Sequence, residues 1–73
     1  MLQKGRFAQI IGANIKKVRN EKGVTQEKLA ADCGFYRTYI NLIETSRRLP
    51  SSYTLYKIAH SLNVPVSKFY PKT

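Results

Sequence analysis

The stretch 34-GFYRTYINLIETSRR-48 sets two tyrosines and a phenylalanine among three arginines, two threonines and an asparagine, with Glu44 as its single acid. These side chains are hydrogen-bond donors, methyl groups and flat rings. They suit the reading of a polar surface, not the movement of protons. Elsewhere the chain holds one cysteine, Cys33, and one histidine, His60. A lone cysteine excludes an internal disulfide, and one His with one Cys makes no metal-ligand cluster. No nucleophile–base pair or carboxylate dyad stands out, so neither an enzyme nor a cofactor is expected. Thirteen Lys and Arg face four acids, for a formal net charge of +9 and a pI near 10.1. So large a surplus in so short a chain points to a polyanionic partner. Nucleic acid is the first candidate and an anionic membrane surface the second.

Seventy-three residues make one small domain. Such a chain buries roughly 60% of its unfolded surface and is marginally stable alone. With disulfide and metal excluded, self-association is the remaining usual route to stability. No apolar run reaches the ~18 residues needed to span a bilayer. The opening MLQKGRFAQII is too polar for a signal peptide, so a cytoplasmic setting is expected. No segment repeats, and strand-like alternation is nowhere sustained.

The chain divides into helical patterns separated by short breakers. Phe7, Ile11, Ile15 and Val18 recur at helical spacing, predicting a first helix from about Phe7 to Glu21. Lys16, Lys17, Arg19 and Lys22 are expected around its other faces. Gly12 weakens that helix by about 1 kcal/mol relative to alanine, which packing or a close approach could explain. Lys22-Gly23 should close it. Residues 1–6 read as a basic N-terminal arm, and 7–73 as a single domain. A second helix is predicted over Gln26 to Cys33, with Thr25 as N-cap and Leu29, Ala30 and Cys33 on one face. Gly34 breaks it. A third follows, with Phe35, Ile40 and Ile43 as a narrow apolar stripe. It leaves Tyr36, Arg37, Thr38, Asn41 and Thr45 pointing elsewhere. A fourth starts after Ser51 and places Leu55, Ile58, Ala59 and Leu62 on one face, with Asn63 to close it. The tail carries Pro65 at a helix entry, four apolar residues and Pro71 as a stop.

Two short helices joined by a glycine-containing turn describe a helix-turn-helix. Residues 26-QEKLAADCGFYRTYINLIET-45 resemble that unit in the Cro/lambda-repressor-like (XRE) family. The resemblance rests on Gln26 at the start, Ala30 where the helices cross, Gly34 in the turn, and apolar Leu29, Cys33, Phe35, Ile40 and Ile43. It extends from about Ile11 to Phe69. The segments 37-RTYI-40 and 43-IETSRRLPSSYTLYKIAHSLNV-64 are similar to the small controller proteins of restriction-modification systems. Two departures are visible. Tyr36 stands where a capping Ser or Asp is common, and Leu49 where Asn is common.

The resemblance implies an all-α, compact five-helix lambda-repressor-like domain with its helix-turn-helix at helices 2 and 3. It implies a transcriptional regulator that binds pseudo-palindromic operators in double-stranded DNA as a homodimer. In this architecture the second helix of the motif enters the major groove by its N-terminal residues. Arg37 and Thr38 are the expected base readers, since Arg can grip guanine N7 and O6 and Thr can meet a thymine methyl. Tyr39 and Arg48 are further candidates for base contact, although Tyr39 suits the core edge equally. Gln26, Tyr36, Asn41, Arg47 and Lys17 are candidates for phosphate contact. Glu44 is expected to orient a nearby arginine. Val64, Val66, Phe69 and Tyr70 are dense for a terminus and are expected to form the dimer surface. No effector module is visible, and no small-molecule ligand is expected. A phage repressor or an antitoxin of the same superfamily is the alternative. A membrane-binding basic helix would leave Ala30 and Gly34 without a role.

Overall fold

The computed structural model describes residues 3–72. Four α-helices follow in order: α1 Lys4–Glu21, α2 Gln26–Cys33, α3 Arg37–Glu44 and α4 Ser52–Leu62. A 3-10 helix, Val66–Phe69, follows α4 in place of a fifth α-helix. With Pro65 before it and Pro71 just after, the segment is too short for an α-turn ladder. It closes instead with Lys68 N–H on the Pro65 carbonyl at 3.0 Å. There is no strand among the described residues.

The helix ends follow from local chemistry. The Thr25 and Ser51 side chains accept the backbone N–H of Lys28 and Thr54, capping α2 and α4 as their types predict. Gly34 takes φ 74° after α2. Its N–H bonds to the Ala31 carbonyl and that of Phe35 to Ala30, the paired closure of a Schellman turn. Asn63, at φ 58°, closes α4 the same way. So does Ser46 after α3, at φ 68°, a left-handed conformation more often taken by glycine.

Helix α1 begins three residues before the predicted start. The Phe7 N–H bonds to the Gln3 carbonyl at 2.9 Å. Placing Phe7 and the buried Ala8 in the helix therefore recruits the turn before them. Lys4, Gly5 and Arg6 of the expected arm are thus helical, while Met1 and Leu2 lie outside the described residues.

The core joins Ile11, Ile15 and Val18 of α1 to Leu29, Ala30 and Cys33 of α2, Ile40 and Ile43 of α3, and Leu55, Ile58, Ala59 and Leu62 of α4. Helix α3 packs against both α1 and α2, and α2 also packs on α4. The Cα radius of gyration, 11.2 Å, equals the about 11 Å expected of a single compact unit of this length. Gly12 sits where α1 crosses the end of α3. A Cβ there would clash with the Ile43 carbonyl oxygen and lie 3.1 Å from that of Glu44. The close approach is why α1 tolerates a glycine in its middle.

Two expectations are corrected. Phe69 is fully buried in the core, so it has no surface to offer a partner. Its carbonyl also accepts the Asn14 side-chain amide at 2.9 Å, fastening the tail to α1. Val64 and Val66 are half-buried against the same core, and Tyr70 stands edge-on to Phe7 at 5.8 Å. Much of the tail's apolar surface is thus satisfied within one chain. The second correction is Arg19, placed by its charge on an outer face but in fact buried. It follows Ile15 by four residues and so continues the core-facing stripe.

Candidate nucleic-acid interface

Helix α3 carries two faces. Ile40 and Ile43 anchor it to the core, and at about 100° per residue the opposite side presents Arg37, Thr38, Asn41 and Thr45. All four are exposed. Arg37, Thr38 and Asn41 line one shallow depression, and Arg37 also lines a second with Thr25, Gln26 and Glu27. The start of α2 and the start of α3 therefore open onto one continuous surface. Thr45, absent from the expected contacts, shares this face through its spacing of four from Asn41, and its hydroxyl donates to the Asn41 carbonyl at 2.8 Å.

Tyr36 occupies the N-cap position of α3 with its side chain uninvolved in capping. The residue is 86% exposed. No side chain there competes for the first N–H groups of α3, which carry the positive end of the helix dipole. An anion is favoured in that place.

Glu44, the single acid of the stretch, is turned inward. Its side chain is fully buried and grips Arg19, with Nε to Oε2 at 2.7 Å and Nη2 to Oε1 at 3.0 Å. Arg19 Nη1 also donates to the Val24 carbonyl at 2.7 Å. The expectation that Glu44 orients an arginine holds, but the arginine is one from α1. Gln26 donates its side-chain amide to the same Glu44 Oε1 at 3.0 Å. This network ties α1, the start of α2 and the end of α3 together. It also removes the stretch's negative charge from the outer face, which is left positive.

Tyr39 does not join the exposed face. It is half-buried, its ring edge-on to Phe35 at 5.1 Å, and its hydroxyl pairs with that of Thr54 at 3.0 Å. The ring instead supports Arg48, whose guanidinium lies over it at 5.6 Å. Tyr39 is therefore a support for a candidate contact residue. Arg47 and Arg48 are both exposed, and both backbone N–H groups bond to the Leu42 carbonyl, at 2.9 and 3.2 Å. The Ser46 turn thus folds the two-arginine loop against α3.

Lys17 stands apart from these residues. It lies roughly 140° around α1 from Gly12 and lines a groove with Ser67, Lys68 and Tyr70. A phosphate contact shared with the α3 face does not suit that position. Cys33 is buried, which raises its thiol pKa against the opposing pull of Ser61 and Lys57. His60 stacks on the exposed Tyr56 ring at 5.9 Å. No cluster of three or more His, Cys, Asp or Glu occurs among the described residues, and no helix there is long and apolar enough to cross a membrane.

Residues 15–69 match the family described as Helix-turn-helix. The chain is 42% identical over 57 residues to the ImmF control region 10 kDa protein of Bacillus phage phi105. That match covers 78% of this chain but 63% of the phage protein, so the chain spans less than two thirds of that relative. It is 37% identical over 60 residues to control protein C.SmaI of Serratia marcescens, covering 82% of this chain and 71% of that one. Its fold is similar to that of the restriction-modification controller protein C.AhdI from Aeromonas hydrophila. The TM-score is 0.84 and the identity 27%, over 86% of this chain and 96% of the other.

Proposed function

The chain belongs to the helix-turn-helix family, a family of DNA-binding transcriptional regulators, and from that premise we propose that it is the controller protein of a restriction-modification system. It binds a pseudo-palindromic operator as a homodimer in the cytoplasm, one copy per half-site, with half-sites about 34 Å apart. Helix α3 enters the major groove. The observation that carries this reading is the exposed face of Arg37, Thr38 and Asn41 on a helix whose other face is fixed by Ile40 and Ile43. Arg37 grips a guanine edge, Thr38 meets a thymine methyl, and Asn41 reaches a phosphate or base edge. Gln26, held by Glu44, offers its remaining amide hydrogen and the N-terminus of α2 to a phosphate. Arg47, Arg48 and Tyr36 flank the groove and contact the backbone, with Arg48 steadied on Tyr39.

Homodimerisation rests on operator symmetry and on the apolar edges that remain, Val64, Val66 and Tyr70. Sedimentation across a range of protein concentrations tests it. A single monomeric species at concentrations that saturate the operator would exclude a preformed dimer.

A second reading has the phage relative in its favour: a prophage regulator. Footprinting the DNA upstream of the chain's own gene tests binding. Sequencing the neighbourhood separates the settings, since a restriction endonuclease and methyltransferase favour the first reading and phage genes the second.

A further inference from the structure

The start of α1 and the loop after α3 meet in a groove lined by Lys4, Gly5 and Ala8 on one side and Ser46, Arg47, Arg48 and Leu49 on the other. Three of these residues are cations, and all three are exposed. None of the chain's four acids lines the groove. Two of those acids are engaged elsewhere, Glu44 with Arg19 and Asp32 with Lys28. Three like charges held together without a counter-charge repel one another, an arrangement favoured once an anion enters. The groove is also held in shape. The Ser46 turn ties the Arg47 and Arg48 backbone to Leu42, and the Phe7–Gln3 bond keeps Lys4 at the first turn of a helix.

We infer that this groove is a second phosphate site, built from Lys4, Arg47 and Arg48, that takes the DNA backbone beyond the bases read by α3. The inference rests on the proposed DNA-binding function. It makes the first turn of α1 part of the interface and gives Lys4 a defined role there. Because a phosphate carries no sequence information, the site strengthens all duplex binding alike and fixes how α3 lies in the groove.

The test compares Lys4→Gln with Arg6→Gln, which removes the same charge from the same turn but lies outside the groove. Binding of each is measured on the upstream duplex and on a mixed-sequence duplex between 50 and 200 mM salt. Losing one phosphate contact lowers the slope of log affinity against log salt by about 0.9. Lys4→Gln should show that drop on both duplexes, so that its deficit against the unaltered protein shrinks about 3.5-fold across the fourfold salt range. Arg6→Gln should keep the original slope. Ethylation interference should show one phosphate outside the base contacts that matters to the unaltered protein and not to Lys4→Gln. An unchanged slope for Lys4→Gln overturns the inference, and so does an equal drop in both variants, which would reflect net charge alone. If the unaltered protein binds neither duplex, the proposed function itself fails, a different result from either.

Discussion

Tyr39 illustrates how much of a residue's role is set by what surrounds it. By sequence it lies between Thr38 and Ile40 and suits base contact as well as core. In the fold its hydroxyl is paired with Thr54 and its ring carries Arg48. Tyr39→Phe should therefore cost about 0.5–1.5 kcal/mol of stability in urea titration, the worth of one hydrogen bond. Base preference should be unchanged on duplexes substituted one position at a time. Relaxed preference at a single position would show that the hydroxyl reads DNA after all. Cys33 gives a second check at this scale. Burial raises its thiol pKa, so the reactive thiolate is scarce. The folded protein should resist iodoacetamide at neutral pH and react readily once unfolded; equal rates would place the thiol at the surface.

At the level of elements, the question is how α3 is held. Gly12 lets α1 lie against the carbonyls at the end of α3. Gly12→Ala gains about 1 kcal/mol of helix propensity, yet the added methyl must push the helices apart, an overpacking cost of about 1–3 kcal/mol. A net fall in thermal stability is expected, and a rise would mean the crossing is looser than it looks. Glu44→Ala leaves Arg19 buried without its partner and should cost about 3–5 kcal/mol, a large part of the stability of so small a domain. It should also release Gln26. Chemical denaturation of the variant checks the magnitude. The caps and turns at Thr25, Gly34, Ser51 and Asn63 were legible because each rests on one residue's own preferences. The burial of Arg19 was not, since charge assigned it outward and only the approach of Glu44 from a helix 25 positions away reverses that. Nor was the Ser46 turn, where the paired bonds to Leu42 and Ile43 hold a conformation that serine alone does not favour.

For the whole molecule, charge and fold divide the work. The excess of cations favours any duplex, and the buried α1–α2–α3 network holds in place the helix proposed to discriminate between duplexes. The helix-turn-helix was readable from the chain, as was the position of Arg37 and Thr38 at the start of α3, because helical spacing and the glycine turn are local signals. The proposed dimer surface was less so. Phe69 looked too apolar to be left exposed, and it is not exposed, but the partner that covers it is α1 and the rest of the same core. Composition shows that an apolar group must be covered and not by what. The central claim is that Arg37 reads a base. It is tested most directly by titrating the unaltered protein and Arg37→Ala against the footprinted upstream duplex and a set differing from it by one base pair each. Arg37→Ala should lose about 1–3 kcal/mol of discrimination at one position in each half-site and keep its preferences elsewhere. An equal weakening on every duplex would contradict it, and would make Arg37 a backbone contact.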